Sequence, residues 1–228
     1  MQYHSIKPAV FWERPNRFTA RVLVDGAVTT VHMKNTGRCR ELLQPGAAVI
    51  LEEASHPGRK TRYSLVAVYK GKMLVNIDSQ APNQVVFEGL QTGALPEFSK
   101  LKHLAREVSF GNSRFDLYYE TGKKQGFIEV KGVTLERERV ALFPDAPTER
   151  GSKHLLELGE AVRMGYEGCI FFLIQMRGPV CFQPNTAMDP KFTAALRLAK
   201  ETGVRVLAYD AVVTADGLVL GSPVPVAI

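Results

Sequence analysis

The stretch SRFDLYYETGKKQGFIEVKGV, residues 113–133, decides the fold class of the C-terminal part of the chain. Two runs in it, 113–120 and 127–133, are rich in aromatic and β-branched residues, and they flank the polar turn 121–126. Such runs on either side of a polar, glycine-containing turn are typical of a β-hairpin. The stretch therefore predicts two antiparallel strands.

Three side chains of this hairpin carry chemistry. Residues two apart in a strand share a face, so Glu129 and Lys131 point to one side. If the hairpin closes symmetrically about 121–126, Tyr118 lies opposite Glu129 and Asp116 lies opposite Lys131. Asp116 and Glu129 are then diagonal neighbours, near enough to share a cation.

Two carboxylates and a lysine at a sheet edge suit phosphodiester hydrolysis. Carboxylates are ligands for Mg²⁺ or Mn²⁺, which lower the pKa of a bound water and neutralise charge on phosphate. The lysine can orient the attacking water or stabilise the charge of the transition state. A second acid-x-Lys tripeptide, Asp189-Pro190-Lys191, reads instead as a helix start, because Asp caps helices and Pro suits their first position.

Outward from the hairpin, helical and strand patterns alternate. Apolar residues at helical spacing predict helices over 97–107, from Ser152 onward and over 191–201. The strands predicted beside the hairpin span 140–143, 169–175 and 204–209. This order predicts an α/β domain with a mixed sheet and helices on its faces.

The N-terminal part reads differently, as short strands and turns. A five-stranded OB-like barrel and an SH3-like barrel both fit this inventory. We place the domains at 1–83, an OB-like nucleic-acid-binding barrel, and 84–228, the α/β domain. The predicted barrel elements are strands 18–24, 27–33, 48–53, 63–69 and 73–77, with a short helix over 39–43.

Positive charge is concentrated in the barrel. The formal net charge is +6, and residues 1–88 hold 12 Lys and Arg against 7 Asp and Glu, whereas residues 89–228 hold 17 against 16. A basic module attracts polyanions, although a merely solvated surface carries charge too. Arginines beside aromatic rings are typical of single-strand binders.

Candidate phosphate contacts follow from this charge. In the barrel we expect Phe18 and Tyr69 to fill the core rather than to stack on bases. In the loop that leads into the helix from Ser152, Arg150 and Lys153 could bind phosphate, or Thr148 or Ser152 could simply cap the helix. His154 is expected to support the structure rather than to contact substrate. The candidate phosphate-binding residues are Arg38, Arg40, Arg59, Arg62, Arg150 and Lys153.

Composition and cysteine usage exclude several classes. No apolar run approaches the roughly 20 residues that a membrane-spanning helix needs, so no membrane partner is expected. The first 15 residues lack the apolar core of a secretory signal. Three scattered cysteines, Cys39, Cys169 and Cys181, form neither a disulfide framework nor a zinc cage. We therefore expect a cytoplasmic protein.

Several motifs together resemble the sugar fermentation stimulation protein A family. They are Phe18-Thr-Ala-Arg-Val, His32-Met-Lys-Asn-Thr-Gly-Arg-Cys39, Asn112-Ser-Arg-Phe-Asp116, Ile128-Glu-Val-Lys-Gly-Val-Thr-Leu135, Phe143-Pro-Asp-Ala-Pro-Thr-Glu-Arg-Gly151 and Lys153-His154-Leu155. The resemblance implies an OB-like domain followed by a nuclease-like domain of the PD-(D/E)xK kind. It also implies non-sequence-specific DNA binding and a part in regulating sugar metabolism.

Residue roles follow from the resemblance by position. Asp116 matches the first acid of the motif, Glu129 the second and Lys131 its lysine, while Phe115 stands where the motif's name has proline. These three are the implied catalytic residues, and both acids are implied ligands of Mg²⁺ or Mn²⁺. Related nucleases place another acid before the first core strand, and of Glu97 and Glu107 we favour Glu107 as a further ligand.

Three functions remain open at this stage. The first is a metal-dependent nuclease acting on DNA, with single-stranded and branched forms among its candidate substrates. The second is a DNA-binding regulator on a nuclease-like scaffold without turnover. The third, ranked last, uses Lys131 as a buried nucleophilic amine, which requires a depressed lysine pKa. The oligomeric state is not determined by the sequence.

Overall fold

The N-terminal strands form a barrel because each presents one apolar face to a shared interior. The computed structural model describes residues 1–35, 37–55 and 58–228. In the strand Thr19–Val24, Ala20, Val22 and Val24 are buried, whereas the residues between them are exposed. The sequence predicts a strand over 18–24, so the prediction for this segment is confirmed.

Five strands close into the barrel and a sixth extends it. The sheet order is β3-β2-β1-β4-β5-β6, and β3 also pairs in parallel with β5 through His32 opposite Ser64 and Met33 opposite Leu65. That second pairing closes the barrel, so the OB-like prediction is confirmed over the SH3-like alternative. The strands are β1 Ile6–Asn16, β2 Thr19–Val24, β3 Ala27–Met33, β4 Ala48–Glu53, β5 Tyr63–Lys70 and β6 Met73–Asn76.

Two barrel elements differ from the prediction. The long strand β1 was not predicted, because bulges after Phe11 and Glu13 interrupt the alternation that marks a strand. The predicted helix over 39–43 is a single turn, in which the N–H groups of Leu42 and Leu43 both bond to the carbonyl of Cys39. Thr36, part of one family motif, lies outside the described residues.

The C-terminal part is an α/β domain with a mixed sheet, as predicted. Its main sheet has the order β15-β14-β12-β9-β8-β7, and β10, β11 and β13 form a smaller one. Strand β12 runs parallel to both β9 and β14. The elements are α1 Ala81–Gln91, β7 His103–Phe110, β8 Ser113–Glu120, β9 Gln125–Val133, β10 Leu135–Arg137, β11 Val140–Phe143, α2 Glu149–Arg163, β12 Glu167–Ile174, β13 Cys181–Pro184, α3 Pro190–Glu201, β14 Arg205–Thr214 and β15 Gly217–Pro223.

The main sheet is covered on both faces, which explains its continuous apolar central strand. Along β12, Ile170 and Phe172 pack in the cluster that contains apolar residues of α2 and α3. Their neighbours Phe171 and Leu173 pack in the cluster that contains α1. Helix α1 and the pair α2–α3 therefore lie on opposite faces, and the hairpin β8–β9 lies between them.

The predicted helix over 97–107 is wrong. The structure has a short 3₁₀ turn, Pro96–Phe98, followed by β7, and the helix of this region is α1, which was not predicted. The cause is a change of face within β7. Glu107 has a φ of 54°, and Leu104 before it and Val108 after it pack in different clusters. A strand that switches faces in this way imitates helical spacing.

A buried polar cluster joins the two domains. The fully buried carboxylate of Asp78 accepts from the Tyr3 hydroxyl at 3.2 Å and from Lys34 Nζ at 2.9 Å. Gln175 Nε2, on the C-terminal side, donates to Asn76 Oδ1 at 2.7 Å. Because buried polar groups must keep their partners, this cluster fixes the barrel against the α/β domain.

The segment between the domains is short, since β6 ends at Asn76 and α1 begins at Ala81. The predicted boundary between residues 83 and 84 thus falls inside α1. Among the described residues, no helix combines the length and the apolar character needed to cross a membrane.

Candidate active site and arginine cleft

The hairpin that carries the candidate site is two residues out of the predicted register. Tyr118 lies opposite Phe127 rather than Glu129, because the turn is only 121–124 and is closed by Glu120 opposite Gln125. The predicted pairing of Asp116 with Lys131 is therefore wrong. A shift of two preserves the alternation of faces, whereas a shift of one would have reversed it.

Asp116 lies where the two hairpin strands separate. The β8–β9 ladder ends at Leu117 opposite Ile128. Beyond that pair, the Asp116 carboxylate replaces a backbone acceptor, since its Oδ2 accepts the N–H of Val130 at 2.8 Å. Its Oδ1 accepts from Nδ2 of Asn83, on α1, at 2.7 Å. Both oxygens are thus oriented by the protein.

Glu129 is held by a residue of α2, the helix that packs on the face of the sheet opposite α1. Its Oε1 accepts from Lys131 Nζ at 2.5 Å and is in contact with His154 Nδ1 on α2. Arg150 Nε donates to His154 Nε2 at 3.4 Å, so the imidazole proton lies on Nδ1 and points to Glu129. His154 thus has an orienting role that the sequence did not suggest, although its place one turn into α2 was visible.

The two carboxylates interact electrostatically. Burial raises the pKa of Asp116, and the negative charge of Glu129 raises it further. Burial also favours the neutral form of Glu129, but the bond from His154 and the charge of Lys131 outweigh it, so the pKa of Glu129 is lowered. Glu129 therefore carries its charge over a wide pH range, and Asp116 loses its charge more easily.

A divalent cation fits part of this arrangement. Glu129 Oε2 is buried and has no hydrogen-bond partner among the described residues, which is the condition of an oxygen that lacks its ligand. Mg²⁺ and Mn²⁺ sites built on one or two carboxylates keep several waters, so Asp116 and Glu129 suffice as protein ligands.

The structure does not bring the predicted third ligand, Glu107, into this site. Glu107 is exposed on β7, with Oε2 at 3.5 Å from Arg114 Nη2. In the described part of the chain, no three His, Cys, Asp or Glu residues form a group that could hold a metal.

A second feature, on the barrel, is a cleft of about 400 Å³ that we call the arginine cleft. Arg38 and Arg40, two of the predicted phosphate-binding residues, line it together with Arg14 and Arg17. No motif in the sequence singles out Arg14 and Arg17, although Arg17 precedes Phe18 in the turn between β1 and β2. The lining residues are Arg14, Asn16, Arg17, Gly37, Arg38, Arg40, Leu43 and Gln44.

The other four predicted phosphate-binding cations lie outside the arginine cleft and have protein partners. In the barrel, Arg62 Nε donates to Glu53 at 2.7 Å and Arg59 donates to Ser64 Oγ at 3.3 Å. In the α/β domain, Arg150 holds His154, and Lys153 Nζ donates to the carbonyl of Asn112 at 3.1 Å.

Thr148 caps α2, accepting the N–H of Gly151 at 3.0 Å, as one reading of that loop predicted. The prediction that Phe18 and Tyr69 fill the barrel core is wrong. Phe18 is 48% exposed and Tyr69 is 37% exposed.

Comparison with known protein families defines the class of the protein first. Residues 13–77 match the family model described as the SfsA N-terminal OB domain. Residues 80–217 match the model described as the sugar fermentation stimulation protein RE domain. An OB barrel followed by this domain is the architecture described above.

Full-length relatives then give the family. A sugar fermentation stimulation protein homolog of Alkaliphilus oremlandii is 54% identical, covering 99% of this chain and 98% of its own. A homolog of Desulfitobacterium hafniense is 51% identical with the same coverage. The structure of Pyrococcus furiosus SfsA in complex with Ca²⁺ matches with a TM-score of 0.92 at 28% identity, covering 100% of this chain and 98% of that one. The chain belongs to the SfsA family.

Proposed function

We propose that the protein is a metal-dependent nuclease that acts on DNA. The observation that carries this proposal is the Glu129–Lys131 ion pair, with Asp116 near enough for the charges of both residues to act on its carboxylate and with one Glu129 oxygen buried and unpartnered among the described residues. Two carboxylates and one amine in this arrangement match the needs of phosphodiester hydrolysis. The Ca²⁺ in the P. furiosus relative supports a divalent cation, and Mg²⁺ or Mn²⁺ is the catalytic candidate.

The residues divide the work. Asp116 and Glu129 hold the cation, which when bound supplies an activated water and neutralises charge on the phosphate. Asn83 and the Val130 N–H orient Asp116, while His154 orients Glu129. Lys131, with only 15% of its side chain exposed, keeps its ammonium group beside the reacting phosphate and stabilises the charge that develops there.

The barrel supplies DNA affinity through the arginine cleft, whose cations bind phosphate without reading sequence. Free, unpaired cysteines in the described residues are consistent with action in the cytoplasm.

A second candidate is a DNA-binding regulator without turnover. Two observations favour it: Glu129 is only 2% exposed, and the described residues provide no group of three metal-binding side chains. In both candidate functions the barrel binds DNA. The regulator differs from the nuclease only in that the hairpin site does not cleave the DNA.

The test combines metal binding with cleavage. Calorimetry with Mn²⁺ is expected to detect one site in the wild type and none in Glu129→Gln. Single-stranded, double-stranded and branched DNA are then incubated with wild type and variant in Mn²⁺. Cleavage by the wild type alone supports the nuclease. Intact DNA together with no bound metal, in a protein that still binds DNA, supports the regulator.

A further inference from the structure

The arginine cleft contains guanidinium groups that form no salt bridge with a described residue, although the Asp145 carboxylate accepts the backbone N–H of Arg38 at 3.1 Å. Arg17, Arg38 and Arg40 form no salt bridge within residues 1–35, 37–55 and 58–228, in contrast to the exposed Arg62, which is paired with Glu53. Three guanidinium groups around one cleft repel one another. An anion that enters the cleft relieves that repulsion, so the cleft is suited to a phosphate-bearing ligand.

An exposed aromatic ring, that of Phe18, lies next to one of the arginines that line the arginine cleft. The Arg17 guanidinium lies 4.8 Å from the centre of the Phe18 ring. Phe18 is held in the open by its turn, since its own N–H donates to Asn16 Oδ1 at 2.8 Å. A stacked guanidinium and ring, fixed by a turn rather than by a core, form a flat platform on which a base can stack.

The cleft is already organised. Arg14 Nη1 donates to the carbonyl of Gly37 at 2.6 Å, and Arg14 Nη2 donates to those of Asn35 at 2.7 Å and Arg17 at 3.0 Å. One side chain thereby ties the β1–β2 turn to the segment that carries Arg38. A cleft whose walls are fixed in advance loses little entropy when a ligand binds.

Two further cavities lie between the arginine cleft and the surroundings of the hairpin site. Gly37, in its wall, also lines a second cavity that contains Ser79 and Gly132, the neighbour of Lys131. Ser79 in turn borders a third cavity lined by Asn83, the partner of Asp116. The three cavities are therefore neighbours, and together they lie between the barrel and the surroundings of the candidate site.

We propose that the arginine cleft binds one segment of single-stranded nucleic acid, with phosphates on Arg38 and Arg40 and a base stacked on the Arg17–Phe18 platform. The inference rests on the proposed function only in taking nucleic acid as the ligand. A duplex keeps its bases stacked and paired, so it reaches the arginines but not the platform. The cleft therefore distinguishes single strands from duplexes.

The test measures binding without cleavage. Fluorescence anisotropy is recorded in EDTA with an oligodeoxythymidylate and, separately, with a duplex of equal length. Phe18→Leu is expected to weaken single-strand binding by about 5- to 150-fold, the range for one stacked base, and to leave duplex binding unchanged. Phe18→Tyr retains a ring and restores the affinity. Tyr69→Leu, which removes another exposed ring of the barrel, is the matched control without effect.

The arginines are tested by their salt dependence. Arg38→Gln combined with Arg40→Gln is expected to reduce the slope of log K against log salt by about 1.4 for the single strand. Arg197→Gln combined with Lys200→Gln, two exposed cations on α3, leaves the slope unchanged. Since Phe18, Arg38 and Arg40 project into solvent or a cleft, thermal melts of these variants should match the wild type.

Three results would overturn the inference: an unaffected Phe18→Leu, an equal loss for single strand and duplex, or a salt slope that the arginine variant does not change. The outcome is separable from that of the proposed nuclease. Single-strand binding that depends on Phe18, in a protein that cuts nothing with Mn²⁺, retains the cleft and rejects hydrolysis.

Discussion

The arginine cleft and the hairpin site differ in whether their charged side chains have partners within the protein. In the cleft, the guanidinium groups of Arg17, Arg38 and Arg40 form no salt bridge with a described residue. At the hairpin, Asp116 and Glu129 are surrounded by protein donors, and Glu129 is almost fully buried. The two regions are part of one molecule and, in the proposed function, contact the same ligand.

The difference separates affinity from chemistry. Exposed charges attract a polyanion from a distance, but salt screens them over about 8–10 Å. Buried charges are screened far less, and fixed donors keep them oriented for a developing charge. The cleft should therefore control binding and its salt dependence, and the hairpin should control cleavage.

The largest expected effect tests that separation at Lys131. Lys131→Ala should reduce the cleavage rate by about 10²–10³-fold, the usual loss for one group that stabilises transition-state charge. DNA affinity in EDTA should remain unchanged, because binding resides in the cleft. Cleavage is followed by gel assay in Mn²⁺ and affinity by anisotropy.

A matched control exists in the second acid-x-Lys tripeptide. There Asp189 caps α3 by accepting the N–H of Phe192 at 2.9 Å, so the motif is structural. Lys191→Ala should therefore leave both cleavage and binding intact. If Lys131→Ala reduced binding as strongly as cleavage, the two regions would not be separable.

A smaller effect is expected from His154, which acts only through Glu129. His154→Ala should weaken Mn²⁺ binding by about 10- to 100-fold, as is typical when the partner of a metal ligand is removed. His154→Asn should restore most of the affinity, since its amide nitrogen takes the place of Nδ1. His4→Ala, at an exposed position, serves as the control, and calorimetry measures all three variants. Unchanged metal affinity in His154→Ala would limit this residue to packing.

Much of the fold could be predicted because its strands are runs of apolar and β-branched residues bounded by polar or glycine-containing turns. Ala27–Met33, Ala48–Glu53, Ser113–Glu120 and Val140–Phe143 have the predicted limits. Prediction failed where the backbone interrupts the pattern. The bulges in β1 and the left-handed Glu107 in β7 each move side chains to the other face, which a period of two cannot represent.

Part of the candidate site could also be predicted from the regular geometry of a strand. The acid-x-Lys spacing placed Glu129 and Lys131 on one face, and that holds in any register. Asn83 and His154 could not be connected with the hairpin, because both reach it from helices whose packing is a tertiary property. Two of the four arginines that line the arginine cleft, Arg38 and Arg40, were predicted to bind phosphate from the basic charge of their segment. Arg14 and Arg17 were not predicted, because nothing in the sequence distinguishes them from other residues of a polar turn.

A still smaller effect is expected on thermal stability, which the substitution of Asp116 should increase although it removes a residue needed for cleavage. Because the pKa of Asp116 is raised in the fold, its ionised form destabilises the protein. That cost is absent below the unfolded pKa of about 3.9 and is complete once the pH exceeds the raised folded pKa. Asp116→Asn should therefore increase Tm at pH 7, by about 2–4 °C if the gain is about 1 kcal/mol.

The same substitution should abolish cleavage, so stability and activity change in opposite directions. Asn83 can turn its amide to accept from the new side chain, which preserves that contact. Thermal melts at pH 3.5 and pH 7 measure the difference between variant and wild type. A gain that persists unchanged at pH 3.5 would show that the charge of Asp116 is not its cause.

The smallest expected effect is the change in DNA binding when Arg62 of the barrel is substituted, which is compared with the substitution of Arg38. Arg62 is exposed and paired with Glu53, so DNA phosphate must compete with a carboxylate for it. Arg62→Gln should change single-strand affinity by less than about twofold in physiological salt, where its remaining effect is screened. Arg38→Gln should instead reduce the salt slope by about 0.7. Equal losses for the two variants would mean that the barrel attracts DNA through its total charge, and the contrast between an ordered cleft and a merely basic surface would then have no basis.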